Sequence, residues 1–190
     1  TLQGGDPRRV QGVQQKFIRV QDEGSQLAAL LLTRVAPLAA AERIWDMCAG
    51  PGGKTAVLGA EACAVGASVL ASEISEHRSS LVEDSTSAIT DRLPTAMSVE
   101  VGDSRRPRAE RFSRILLDAP CSGLGALRRR PEARWVKTPE SIPALRELQE
   151  ALLRNGLNSL APGGFLAYVT CSPVVEETTA VIDRVVSGDE

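Results

Sequence analysis

Histidine is almost missing from this chain: His77 is the only one in 190 residues. A Ser-His or Cys-His catalytic pair is credible only if His77 supplies it, so acid and base work falls to carboxylates, thiols or water. Aromatic residues make up 3% of the sequence, which argues against a surface that binds a nucleic-acid strand by stacking. The four cysteines, Cys48, Cys63, Cys121 and Cys171, contain no C-x-x-C pair, and with one histidine they offer no zinc cluster. No disulfide framework is expected, because 43% of the residues are hydrophobic and the chain can bury a core without covalent staples. There is no run of about 18 apolar residues and the start is polar, so neither a membrane span nor a signal peptide is indicated. A cytoplasmic location is the expectation. Charge of one sign is lacking too: 22 Lys and Arg face 24 Asp and Glu, and the net charge is −2. Attraction to nucleic acid therefore has to come from a local patch.

What is present is a regular alternation of strands and helices. Residues 1–20 are polar, carry Gly4-Gly5-Asp6-Pro7 and read as a lead-in or linker, while residues 21–190 read as one domain. Asp22 is placed to cap a helix from about 24 to 35, with Leu27, Leu30, Leu31 and Val35 on one face. Strands are expected near 43–47, 68–73, 97–101, 114–118 and 165–170, with helices near 54–63, 75–89, 142–160 and 174–186. Ala161-Pro162-Gly163-Gly164 reads as the break between the 142–160 helix and the last strand. Continuous apolar strands between helices predict an α/β fold, a Rossmann-like and mostly parallel twisted sheet with helices on both faces. The sheet is expected to be cut short at its C-terminal edge. Neither Thr1 nor Ser187-Gly188-Asp189-Glu190 resembles a natural boundary, so the chain reads as a piece of a longer protein.

In such a sheet, ligands bind outside the carboxyl ends of the strands. After the first strand comes Cys48-Ala49-Gly50-Pro51-Gly52-Gly53-Lys54-Thr55. It is not a P-loop, whose first glycine would fall at Cys48, and it is not G-x-G-x-x-G, because position 55 is Thr. It is a tight turn opening a helix, where backbone N–H groups favour a negative or polar ligand group. Glu73 closes the second strand 20 residues after Gly53, where an acid grips ribose hydroxyls, and Asp103 follows the third, where an acceptor meets an adenine amino group. Together these favour a nucleotide-type cofactor, and by themselves leave a hydride-transfer cofactor open.

Two further strand ends carry thiols 50 residues apart, in Asp118-Ala119-Pro120-Cys121-Ser122-Gly123 and in Tyr168-Val169-Thr170-Cys171-Ser172. With Gln21-Asp22-Glu23-Gly24-Ser25, the Cys48–Lys54 turn and Arg129-Arg130-Pro131-x-x-x-Trp135, these motifs resemble the Sun/Fmu-type RNA (cytosine-C5) methyltransferases. They arrive in the family's order from about residue 20 to 178. The resemblance implies the S-adenosylmethionine-dependent methyltransferase fold and that cofactor. It assigns the nucleophile to Cys171 and assistance in product release to Cys121. It gives Asp118 the base edge, a task that favours a neutral carboxylic acid. It places Cys48, Ala49, Gly50, Pro51, Gly52, Gly53 and Lys54 around the methionine part of the cofactor, Glu73 on the ribose, Asp103 near adenine and Asp118 near the sulfonium. The family usually has Asp where Glu73 stands. Arg78 is expected to brace this corner, and the serines of 83–87 to be surface variation.

The loop from Ala119 to Ser141 is long, basic and proline-bearing. Arg128, Arg129, Arg130 and Arg134, with Lys137, Trp135 and the earlier Arg105, Arg106, Arg108 and Arg111, form a candidate phosphate-binding rim for RNA. A cytosine in a loop or bulge of ribosomal RNA is the expected target, since a helical base must first be unstacked. No metal and no membrane are expected as partners, and the oligomeric state is not legible. A non-catalytic RNA-binding or assembly protein with the same fold is the alternative, and an NAD-dependent oxidoreductase ranks last. Relatives commonly carry a separate N-terminal RNA-binding domain, so this segment is expected to hold RNA poorly by itself.

Overall fold

A computed structural model describes residues 6–15, 18–129, 131–136 and 138–188. Arg130 and Lys137 lie outside the described residues. The elements run Pro7–Arg9 (a 3-10 turn), α1 Gln11–Gln14, α2 Glu23–Arg34, β1 Arg43–Asp46, α3 Gly53–Val65, β2 Ser68–Glu73, α4 Glu76–Thr90, β3 Met97–Val101 and β4 Phe112–Asp118. They continue with α5 Ala133–Val136, α6 Ile142–Asn158, β5 Leu160–Val169 and α7 Thr179–Val186. All strand pairs are parallel, in the order β3-β2-β1-β4-β5. The chain reverses its direction of winding between β1 and β4, and the crevice there is where such sheets take ligands.

Alternate residues of the central strands divide into two cores. Ile44 and Leu116 point to one face and pack with Ala29 and Leu32 of α2 and Leu58 and Ala62 of α3. Trp45, Ile115 and Leu117 point to the other and pack with Leu152 and Leu153 of α6 and Val181 of α7. Helices thus cover both faces, as the apolar strands required. Among the described residues no helix is long and apolar enough to cross a membrane.

Two local expectations change. The break at Ala161–Gly164 lies inside β5: Phe112 pairs with Leu160 but Arg114 pairs with Phe165, so the four residues form a large bulge. Gly163 takes φ +74°, and β5 lies at the sheet edge, where proline is tolerated because one side has no ladder bonds to lose. On α2 the apolar stripe faces outward, with Leu27, Leu31 and Val35 exposed, and the helix packs through Ala29, Leu32 and Thr33 instead.

Candidate active site

The turn after β1 is built by its glycines. Gly52 has φ +98°, a left-handed conformation that favours glycine, and a Cβ there would lie 2.9 Å from Val82 Cα. The Gly50–Pro51 bond is cis. Glu73, at the end of β2 and 3% exposed, accepts from Gly50 N (3.0 Å) and Ser75 N (3.1 Å), while Arg78 donates to Gly50 O. Arg78 thus braces the turn. Ser85 does more than vary on the surface: its Oγ donates to Pro51 O at 2.8 Å.

Glu73 and Cys48 line a cavity of about 210 Å³ with Ile74, Asp103, Ser104 and Pro120. Burial, with Asp46 and Glu73 nearby, pushes the Cys48 thiol well above its ordinary range. Asp103, expected to meet an adenine amino group, also accepts from Arg105 with both of its oxygens, Nη2 lying 2.6 Å from Oδ2, and this pairing keeps the carboxyl below its usual value. The spacing Asp103-x-Arg105 was a readable signal for that pair. Cys63 is half-buried on α3, and burial raises its thiol above the ordinary value.

Sequence reasoning missed Asp46. It is 1% exposed, its Oδ2 accepts from Thr55 Oγ1 at 2.7 Å, and its Oδ1 has no hydrogen-bond partner. Burial pushes it up to about 7. A buried acceptor without a donor is costly unless a ligand supplies one. The ammonium of an amino-acid-bearing cofactor would do so, and the N–H groups opening α3 suit its carboxylate. The donor set around the turn therefore fits S-adenosylmethionine.

A second cavity, of about 420 Å³, is lined by Asp22, Lys54, Asp118, Arg129, Thr170 and Cys171, among others. Lys54 Nζ lies 2.6 Å from Asp118 Oδ2. Asp118 was expected in surroundings that favour a neutral acid; the structure sets it against an ammonium instead. The Cys121 and Cys171 sulfurs are 3.4 Å apart, at the ends of the loops that leave β4 and β5. Cys171 is the more exposed, and the neighbouring Cys121 thiol pushes it down to about 6. Cys121 is held far above its ordinary range by the same contact and by burial. Either sulfur can donate across this contact, and the more exposed Cys171 is the one favoured as thiolate. His77 is exposed on α4 and is not among the residues lining this cavity.

The basic rim is only partly available. Arg128, Arg129 and Arg134 are exposed; Arg129 pairs with Asp22 at 2.9 Å, and Arg134 lies over the ring of exposed Trp135. Arg105 is taken by Asp103. Arg108 pairs with Glu100 and covers the Trp45 ring. Acids two to eight residues away in sequence absorb these last two arginines.

Strand order, helices on both faces and a glycine-rich turn at the switch point define the Rossmann-like fold of the S-adenosylmethionine-dependent methyltransferases. S-adenosylmethionine is the cofactor of this class. The crystal structure of the protein PH0851 superposes with a TM-score of 0.85 at 27% identity, over 98% of this chain and 41% of that one. More narrowly, the chain belongs to the family described as 16S rRNA methyltransferase RsmB/F, whose model matches residues 34–190. It is 44% identical over 182 residues to a putative methyltransferase of Mycobacterium tuberculosis and 39% identical over 175 residues to ribosomal RNA small subunit methyltransferase B of Escherichia coli. These alignments take in 95% and 90% of this chain but 38% of either relative, so it spans about two fifths of their length.

Proposed function

We propose that this domain methylates C5 of a cytosine in ribosomal RNA, in an S-adenosylmethionine-dependent reaction that passes through a covalent bond between Cys171 and C6 of the base. The observation that carries the reading is the 3.4 Å approach of the two sulfurs beside the Lys54–Asp118 pair. Family membership supports the RNA substrate, and no separate observation on the molecule favours a binding-only role. Bound S-adenosylmethionine supplies an electrophilic methyl group. Cys48 to Lys54, Asp46, Glu73, Asp103 and Asp118 are the residues to hold it.

Cytosine C5 is a poor nucleophile by itself. The Cys171 thiolate adds to C6, forming the sulfur–carbon bond and moving the C5–C6 π pair onto C5, which would then form the new carbon–carbon bond as the methyl–sulfonium bond breaks and S-adenosylhomocysteine leaves with that bond's electron pair. Asp118 accepts from the exocyclic amine, and the Lys54 ammonium meets the negative charge that develops on the ring. The C5 proton leaves to water, the double bond re-forms, and Cys171 departs as thiolate. The Cys121 S–H donates to that thiolate, which lowers the cost of forming it before attack and of releasing it afterwards. Arg128, Arg129, Arg130 and Arg134 serve the RNA phosphates.

Trapping tests the assignment. Cys121→Ala should accumulate a covalent protein–RNA adduct that survives denaturing electrophoresis, and Cys171→Ala should form none. The reverse pattern would move the nucleophile to Cys121 and overturn the scheme.

A further inference from the structure

Both thiol loops are anchored to one buried side chain that takes no part in the scheme above. Glu177 ends the 3-10 turn Val175–Glu177 between β5 and α7 and has no exposed surface. Its Oε1 accepts from Ser122 N (2.7 Å) and Gln149 Nε2 (3.2 Å). Its Oε2 accepts from Ser122 Oγ and Ser172 Oγ, each at 2.5 Å. Ser122 and Ser172 directly follow Cys121 and Cys171, and their hydroxyl oxygens lie 3.2 Å apart. Gln149, from α6, also donates to Pro120 O at 2.7 Å, and Tyr168 OH of β5 donates to Glu177 O at 2.8 Å.

We infer that Glu177 is a positioning residue that sets the spacing of the two thiols by clamping the loop after β4 to the loop after β5. This rests on the two-thiol reading above and adds what holds the pair together. A carboxylate offers about four acceptor sites, and the four donors fill them, leaving Glu177 no capacity to touch a substrate. Its chemistry suits the place: burial by itself would raise its pKa, but the bonds from Ser122, Ser172 and Gln149 hold it below the ordinary value. An ionised clamp binds its donors with charge-assisted strength. The amide of glutamine keeps an acceptor for Ser122 N and Gln149 Nε2 but loses the charge, and its other end donates, so Ser122 Oγ and Ser172 Oγ must turn from donors to acceptors. One backbone bond backs the clamp up: Gly125 N donates to Cys171 O at 2.9 Å, and a Cβ on Gly125 would lie 2.8 Å from that oxygen.

A displaced clamp lengthens the sulfur–sulfur contact, and two properties follow it without any RNA. One is disulfide formation between Cys121 and Cys171 by a diazene oxidant, which takes up the two thiol hydrogens as the S–S bond forms. The other is the pH midpoint for alkylation of Cys171, whose charged and titratable neighbours are Cys121, Asp118 and Lys54. The test uses the full-length protein with Glu177→Gln and Ser172→Ala, S-adenosylmethionine affinity by calorimetry, and peptide mass spectrometry for both thiol readouts. Both variants should bind the cofactor like wild type, cross-link about tenfold more slowly, and show a raised Cys171 midpoint. A purely structural Glu177 would lower thermal stability and leave rate and midpoint where they are, and that result overturns the proposal. If Glu177→Gln loses cofactor binding, Ser172→Ala decides: wild-type cross-linking and titration in it overturn the proposal equally. Absence of an RNA adduct at Cys171, with these shifts present, would overturn the methylation scheme and leave the clamp standing.

Discussion

Lys54 and Asp118 join the cofactor turn to the thiol loops: the Lys54 ammonium, in the first turn of α3, lies 2.6 Å from the carboxylate that ends β4. Asp118 is one-third exposed, so the pair faces the cavity that Cys171 lines. Lys54→Met should leave that carboxylate without its partner, at the place the proposed scheme gives to the base edge. Loss of a charged hydrogen bond costs about 1.5–3 kcal/mol, or roughly ten- to a hundredfold in rate. The expected result is a fall of that size in kcat for transfer of a radiolabelled methyl group to RNA. A rise in KM for S-adenosylmethionine with kcat intact would confine Lys54 to holding the cofactor and remove it from the step on the base.

The thiol pair sets a pH dependence whose sign is fixed. Cys171 is lowered to about 6, so it is thiolate above that value and loses reactivity as pH falls through it. Alkylation of the native protein at neutral pH should label Cys171 ahead of Cys48, Cys63 and Cys121, all of which are raised. Cys121→Ala removes the donor that stabilises the thiolate, so the midpoint at Cys171 should move up towards that of an ordinary thiol, about 8.5. An unchanged midpoint would show that Cys121 does not donate to it.

The strand ends were legible because local pattern sets them. Apolar runs followed by glycine or by Asp-Ala-Pro-Cys place β1 and β4 and their loops, and parallel topology brings such ends together. Groups that act through tertiary contact were not legible. Glu177 becomes a clamp only because β4, β5 and α6 deliver Ser122, Ser172 and Gln149 to it, and no spacing in the sequence announces that. Asp46 reads as an ordinary strand residue until burial strands its Oδ1. The α2 stripe shows the converse failure: its periodicity is right, but hydrophobic spacing does not say which face a neighbour will cover.

Gly52 permits a sharper test of the cofactor turn than its neighbours do. Gly52→Ala keeps the net charge and adds one methyl group, yet that carbon would sit 2.5 Å from Ser85 Cβ at φ +98°. The strain should cost about 1–3 kcal/mol and open the turn. Calorimetry should show weakened S-adenosylmethionine binding, while the reactivity of Cys171 towards iodoacetamide stays at the wild-type level. Wild-type cofactor affinity would remove the turn from the site.

The arginine rim should act on RNA affinity through charge alone. Arg128→Ala and Arg134→Ala remove exposed guanidiniums. Each should weaken RNA binding similarly across sequences and reduce the salt slope by about one. Arg105→Ala is the control, since Asp103 already neutralises that side chain. Filter binding at several salt concentrations measures all three, and an Arg105→Ala slope as shallow as the other two would move the rim to the β3 side.

Stability in acid should depend on one ion pair deep in the fold. Arg114 of β4, 2% exposed, donates to the carbonyls of Leu32, Thr33, Ala36 and Pro37 at the end of α2 and to Glu42 at 3.0 Å. The hydrogen bond from Arg114 holds Glu42 down to about 2. An unfolded glutamate titrates near 4.3, so this contribution is complete above about 4.3 and is lost as pH falls through about 2. Arg114→Met strips those carbonyls and Glu42 of their donor together, and breaking a buried pair costs about 3–5 kcal/mol. Melting at neutral pH should fall by roughly 10 °C. The variant should also lose less stability than wild type on acidification, because Glu42 would titrate closer to its unfolded value; an equal loss in both proteins would mean that other carboxylates set the acid limit.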